Sequence, residues 1–395
     1  MSPPVPTSAV AAPRHLVPLV MATTLTSIMG NSLLAPLVPD ILDDFGRGDS
    51  SAGLLIAAAS LPGVVMAPII GVLADRYGRR AVLAPCLLVF GVAGILIAAA
   101  PSFLFMLAAR FALGLGAAGL VNLAIVLLSD HFEGEQRTRW IGINSGILTV
   151  ALAVFPLLSG GLSELFGWRW SLAPQGLGVV AAIAAWRTLD RTRPADPPRL
   201  RDQLGGAGRA LREPTIAASV AAAGVCFAVI FGIFLAALPN HLEDEFGLSA
   251  GWRGLVMGLP AVSASLVAFN IGRLRRRFTA GSLLIAAASV WVVAFALMGL
   301  APALVLLGVG SLCYGLGEGA MIPSLQDAAV SRAPLAQRAA VMASWTASAR
   351  LGQTVGPLAA AGLMAGPGTT AAILAGVIGA GVMLVLFAVT PLGRA

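Results

Sequence analysis

The sequence predicts an all-α membrane protein, with twelve transmembrane helices arranged as two six-helix bundles related by pseudo-two-fold symmetry. Three observations carry this expectation. First, 58% of the 395 residues are hydrophobic and only 11% are charged, against roughly a quarter charged in soluble domains. Second, the apolar residues fall into runs of about the 20 residues needed to cross a bilayer. Third, pieces of the first half recur in the second at a constant offset of 201 residues. Helices follow rather than strands, because backbone groups in lipid must be satisfied within their own segment. The alternating segments of about ten residues that mark a membrane barrel are absent.

In chain order the expected spans are about 15–38, 52–74, 81–100, 103–128, 140–163 and 171–187, then 215–238, 251–272, 280–300, 302–325, 339–364 and 368–391. The first is too long for a signal-peptide core and lacks a cleavage-site pattern, so it reads as retained. Spans two and three are separated by the compact charged loop Gly71-Val-Leu-Ala-Asp75-Arg76-Tyr-Gly78-Arg79-Arg80. The only long polar interruption is 188–213, where Pro194, Pro197, Pro198, Gly205, Gly206 and Gly208 lie among Arg and Asp residues. Such a stretch cannot build a core and reads as a linker. It divides the chain into an N-terminal bundle (1–187), the linker (188–213) and a C-terminal bundle (214–395).

The offset holds one register through several helices. Phe45-Gly46 maps onto Phe246-Gly247, Gly53 onto Gly254, Gly71 onto Gly272, Gly114 and Gly116 onto Gly315 and Gly317, Gln136-Arg137 onto Gln337-Arg338, and Pro156 onto Pro357. Parallel six-helix repeats of this kind place a substrate near the membrane midplane between the halves, with access alternating by rocking.

Charge reports orientation. The chain has no Lys, and all 25 basic residues are Arg. With the amino terminus in the cytoplasm, 20 Arg fall on the cytoplasmic side, only Arg47, Arg169 and Arg253 fall outside, and Arg110 and Arg350 lie within spans. This is the positive-inside bias. It predicts cytoplasmic termini and a bacterial-type inner (plasma) membrane. No Arg cluster is interleaved with aromatics on a soluble fold, so no nucleic-acid partner is expected. Cys86, Cys226 and Cys313 sit singly in apolar spans, without metal or disulfide spacing. No metal or cofactor is expected, and the partners are a small-molecule substrate and the lipid bilayer, with the protein itself a monomer.

Twelve spans, a six-plus-six repeat and Gly71-x-x-x-Asp75-Arg76-x-Gly78-Arg79-Arg80 together resemble the major facilitator superfamily, over essentially the whole chain. Met29-Gly30 followed by Pro36-Leu37-Val38-Pro39 resembles the twelve-helix drug:proton antiporter branch. Arg110-Phe-Ala-Leu-Gly114-Leu-Gly116 resembles the fourth-helix motif of proton-coupled members. Pro156 with Gly160-Gly161 departs from the antiporter signature Gly-Pro-x-x-Gly-Gly, since Phe155 replaces the first Gly and an extra residue precedes the pair.

The resemblance implies a gating motif at Gly71, Asp75, Arg76, Gly78, Arg79 and Arg80, in which Asp75 docks at the start of the eleventh helix, about residue 339, and latches the outward-facing state. A carboxylate at a helix amino terminus contributes about 0.3–1 kcal/mol when exposed and up to ~2 when partly buried. The bland alternative is a charged loop that only sets topology. The second copy has Arg276 where the first has Asp75, so any latch is asymmetric.

Proton-coupling candidates are Glu318, Arg110, Asp75 and Arg350. A charge within a span costs about 2.5–3.5 kcal/mol on insertion scales and should face a cavity or a partner. For Arg110 the resemblance implies proton transfer or tuning of a nearby acid. The alternative is a hydrogen-bond hub between the fourth and first helices, with Asn31 and Asn122 as polar neighbours. Glu318 is the only carboxylate well inside a span. Counting at 1.5 Å per residue puts it roughly 14 Å deep and Arg350 roughly 16 Å deep, which suggests a pair, either titratable or static. Asp327 competes for Arg350.

The substrate-cavity candidates are Asn31, Asn122, Phe227, Phe231, Phe234, Tyr314 and Glu318, on the first, fourth, seventh and tenth helices that the resemblance implies as cavity lining. A Phe stripe at this spacing is equally a packing face. The first span has no acid before Asp40 and the seventh has none, which favours neutral, zwitterionic or anionic substrates or leaves Glu318 with both tasks.

An enzyme would need a nucleophile and base, or paired acids, at membrane depth, and no such set is present. Without Lys there is no Walker A sequence, so the energy source is an ion gradient. The sequence thus points to proton-coupled export of small apolar or amphipathic molecules by alternating access, of the multidrug efflux type. The alternative is a proton-coupled or facilitative transporter of a specific metabolite such as a sugar or organic acid.

Overall fold

A computed structural model describes residues 15–190, 211–334 and 337–394. The expected linker lies largely outside them. The described residues form helices and turns, with no strand among them. Twelve helical segments follow one another. They are α1 (Leu16–Asp44), α2 (Ala52–Tyr77), α3 (Arg79–Ala98), α4 (Phe103–His131), α5 (Gly134–Phe166), α6 (168–188), α7 (Pro214–Phe246), α8 (Ala250–Arg277), α9 (Ala280–Leu300), α10 (Leu304–Ser331), α11 (Arg338–Ala365) and α12 (Thr369–Val389). Ten of these are long and apolar enough to cross a membrane. The other two, α6 and α11, fall where spans are expected: α6 is interrupted, and α11 carries Arg338, Ser344, Arg350, Gln353 and Thr354. Outward-facing apolar side chains such as Leu104, Phe269, Val305 and Val389 are left uncovered, as a lipid solvent requires.

Four segments are not the unbroken helices that hydropathy suggests. In α1 the helix ends at Ser32, passes through a 3-10 turn at Ala35–Leu37 and resumes at Val38–Asp44. Pro36 and Pro39 have no N–H to give to the carbonyls one turn earlier. The α4 helix breaks between Ala117 and Leu120, and α6 breaks at Ala173–Gly176, around Pro174. In α7 the bonding widens to a π-helix over Ile230–Ala237, just before Pro239. Such π segments often mark functional positions in membrane and soluble helices alike.

The duplication is expressed in three dimensions. Gly46 and Gly247, an offset pair, close their helices with φ of 59° and 60°, a conformation that favours glycine. A Cβ on Gly53 would lie 2.1 Å from the Pro357 carbonyl, and one on Gly254 would lie 2.2 Å from the Pro156 carbonyl. Both partners are offset mates of each other, so α2–α11 and α8–α5 are the same contact made twice. Within the halves, Gly114 meets the Ala59 carbonyl as Gly315 meets that of Pro260, each at 2.1 Å from a would-be Cβ. Small residues let helix backbones approach this closely in membranes.

The halves do not meet evenly along their length. Call the side bearing the 71–80 loop and the chain at 188–190 and 211–213 the linker side, and the other the far side. On the far side Gly160 packs on the Ala250 carbonyl, Gly254 on Pro156 and Gly258 on Ala153. The pair displaced by one residue in α5 thereby finds its reason. Gly160 lies one turn beyond Pro156 on the interface, while a Cβ on Gly161 would meet nothing within 4 Å. On the linker side Gly71, Gly142, Gly146 and Gly272 all have empty space where a Cβ would go. The structure is packed shut on the far side and parted on the linker side.

This geometry predicts that Gly254→Leu pushes the far side open, because even its Cβ would overlap the Pro156 carbonyl. Spin labels on Trp170 and Ala303, in a background lacking Cys86, Cys226 and Cys313, should report a longer distance in the variant. An unchanged distance distribution would contradict the close approach.

Candidate functional site

Around the break in α1, side chains from four other helices donate to its backbone carbonyls. Gln175 of α6 donates to the Met29 carbonyl at 3.3 Å. Arg110 of α4 donates to the Gly30 carbonyl at 2.5 Å, to the Leu55 carbonyl at 3.0 Å and to Asn31 Oδ1 at 2.7 Å. Ser159 of α5 donates to the Leu33 carbonyl. Arg253 of α8, from the other half, donates to the Pro36 carbonyl at 2.9 Å. Arg110 is fully buried, with every side of its guanidinium engaged. It thus bridges α4 to α1 and α2, with Asn31 as the polar neighbour. Asn122 is not part of it. The break in α4 turns that residue to an exposed position on the following helix.

Arg253 is the residue sequence reasoning missed. It was counted only as an outside charge, yet it is fully buried. Besides the Pro36 carbonyl it binds Asp40 Oδ1 at 2.5 Å and Glu243 Oε2 at 3.0 Å. Thus one guanidinium joins α8 to α7 in its own half and to α1 in the other. Beside it, the Glu164 carboxylate of α5 accepts from the Ser249 hydroxyl and from the Gly251 N–H at 3.1 Å, an anion on the amino terminus of α8. The far-side closure therefore rests on two charge-based contacts between halves. The available signal was a lone Arg at the start of a span with an acid, Asp40, at the end of another.

The linker-side motif is built differently from the expectation. Among the described residues, Asp75 has its ionic partner in its own half. Its carboxylate binds Arg79 at 2.6 Å, and Arg79 also binds Asp130 of α4 at 3.0 Å. Gly78 makes the turn between α2 and α3 at φ 91°. Arg80 lies over the Trp186 ring at 4.6 Å and donates to the Leu189 carbonyl at 3.3 Å, and Arg76 is exposed.

Glu318 and Arg350 do not pair, which corrects the expectation from their matching depths. Depth fixes height along a helix and not the direction a side chain faces. Arg350 turns to the other half, donating to the Ala118 carbonyl at the α4 break at 3.5 Å and to Gln353 Oε1 at 3.2 Å, with its stem against Gly63 of α2. Asp327 is not its partner either, since it binds Arg275 at 2.7 Å. Glu318 is half-buried, lies near Cys226 of α7, and has no hydrogen-bond or ion-pair partner among the described residues.

The aromatic candidates divide. Phe234 and Tyr314 stack at 4.5 Å, and Tyr314 stacks again on Trp291 at 5.2 Å. Both are buried in the second bundle, Tyr314 completely, so they are packing residues and not open walls. Phe227 and Phe231 remain half-buried, with Phe227 edge-on to Trp345 of α11 at 5.8 Å.

A twelve-segment helical chain with an internal repeat, a seam between its halves and charged side chains at membrane depth defines a membrane transporter. Comparison with known proteins narrows this. The Major Facilitator Superfamily matches over residues 20–343 and 220–394, and the chain belongs to that family, whose members are transporters and not enzymes. It is 28% identical to the chloramphenicol resistance protein of Streptomyces lividans, over 87% of this chain and 88% of that one. It is 26% identical to the class C tetracycline resistance protein of Escherichia coli, over 93% and 94%. Among solved structures, a bacterial homologue of the human lysosomal transporter Spinster, inward-facing and unoccupied, superposes with a TM-score of 0.74 at 18% identity, over 95% of this chain and 94% of that one.

Because Arg110 satisfies three acceptors, Arg110→Leu should strip them all at about 1–3 kcal/mol for each buried group left unpaired. The full chain in detergent should show a clearly lowered melting temperature. Arg76→Leu, at an exposed position of the loop, should change it little. Equal melting temperatures for the two variants would remove the hub from the account.

Proposed function

We propose that this chain is a proton-coupled exporter of small apolar or amphipathic molecules, working as a monomer by alternating access in a bacterial-type plasma membrane with both termini in the cytoplasm. The observation that carries the reading is Glu318. It is the only carboxylate well inside a span, half-buried and without an ionic partner among the described residues. A lone acid at membrane depth is expensive unless it takes up and releases a proton or meets a substrate. The resistance proteins related to this chain at 26–28% identity support drug-like cargo over a single metabolite.

On this reading the parted linker side is the cytoplasmic entrance. The Arg253 and Glu164 contacts hold the outside shut, and Asp75 engages α11 only after the halves have rocked the other way. Each proton crossing 100 mV supplies about 2.3 kcal/mol, more than the ~2 kcal/mol ceiling for a partly buried carboxylate on a helix amino terminus. One proton thus suffices to overcome the Asp75 latch.

In proteoliposomes with an imposed pH gradient, drug uptake or release should follow the gradient, and Glu318→Gln should abolish the dependence while leaving substrate binding measurable. Transport indifferent to the gradient, or full coupling in the Gln variant, would sink the reading. Asp75→Asn should leave the linker-side-open state populated and deplete the opposite one. Spin-label distances across the linker side that match wild type under every condition would remove the latch.

A further inference from the structure

Arg110, Arg253 and Arg350 are three guanidinium groups set between helices, and they are provided for very differently. Arg110 binds three oxygen acceptors at 2.5–3.0 Å. Arg253 binds two carboxylates and a carbonyl at 2.5–3.0 Å. Arg350 has only two neutral contacts, Gln353 Oε1 at 3.2 Å and the Ala118 carbonyl at 3.5 Å, and no ion pair among the described residues. A guanidinium carries five donors in a planar fork. A buried charge of this kind is normally paired. The half-buried Arg350 side chain is therefore a cation still short of an anion, set midway along α11.

Its position adds a second argument. Arg350 belongs to the second half, while Gly63 and Ala118 belong to the first. A Cβ on Gly63 would come within 3.2 Å of Arg350 Cδ, so glycine leaves the stem room to cross the seam. The Ala118 carbonyl is available because α4 breaks between Ala117 and Leu120. At 3.5 Å it is a weak acceptor and easily exchanged for a better one.

We propose that Arg350, assisted by Gln353, is an anion-binding subsite that takes the carboxylate or sulfonate of an amphipathic substrate. The proposal rests on the exporter reading above and gives it a substrate class, organic anions and zwitterions whose apolar part lies in the space between the halves. An oxyanion meeting the fork of Arg350 forms charge-assisted, two-pronged bonds and draws the guanidinium from the Ala118 carbonyl. Substrate binding thereby loosens one of the contacts that tie the halves together at mid-height. Glu318, which lies near Cys226 of α7, stays free for a proton or for the cationic end of a zwitterion.

The test uses the full chain in a non-ionic detergent at neutral pH, with fluorescent dansylaminoundecanoate and its uncharged methyl ester as probes. Wild type should bind the carboxylate at least about tenfold more tightly than the ester, as expected for a hydrogen bond to a charged group. Arg350→Gln should erase that preference while ester binding stays as in wild type, which also shows that the variant is folded. Arg350→Lys should keep part of it, since Lys keeps the charge and loses the fork. Equal affinities for the two probes in wild type, or a preference that survives Arg350→Gln, would overturn the anion subsite and leave the exporter reading standing. Failure of wild type to bind either probe would overturn both.

Discussion

A helix that breaks inside a membrane exposes carbonyls that lipid cannot satisfy, and the arrangement of this protein follows from how one such break is answered. Pro36 and Pro39 interrupt α1, and the carbonyls of Met29, Gly30, Leu33 and Pro36 are taken by Gln175, Arg110, Ser159 and Arg253. Those four side chains come from α6, α4, α5 and α8. The first three hold the N-terminal bundle around α1. The fourth reaches from the other bundle, so the same local defect that organises one half also provides its attachment to its partner.

Duplication supplies the frame, and departures from it supply the asymmetry. Arg110 donates to the Leu55 carbonyl, and at the offset positions Ser311 donates to that of Val256 at 3.0 Å. The site in the first half is charged and saturated, whereas its mate is a neutral hydroxyl. Arg253 and Glu318 have no charged counterparts at the offset positions, Ala52 and Ala117. The packing contacts of the two halves are related by symmetry, but their charges are not.

Much of this was legible in the sequence, and what was not has physical reasons. Span positions, the repeat and the Arg110–Asn31 contact follow from hydropathy, register and the cost of an intramembrane charge. The breaks at Ala118 and in α7 did not show, because a window of apolar residues reports length and not the path of the backbone. The expected Glu318–Arg350 pair failed because counting residues gives depth but no azimuth. The Arg253–Asp40 contact spans 213 residues of chain, and nothing in either segment encodes such a partner. Tyr314 reads as a cavity aromatic by position, yet the stack with Trp291 and Phe234 holds it within its own bundle.

The mirrored crossings of Gly53 on Pro357 and Gly254 on Pro156 carry a further meaning. Each lies on the opposite side of the pseudo-two-fold axis from the other, and each tolerates almost no separation before its contacts are lost. A rigid rotation of one bundle against the other must release both in the same movement, since packed interfaces are bistable and not continuously deformable. The far mouth is therefore held by two symmetry-equivalent seams, which on the alternating-access reading proposed above would part together and not one after the other.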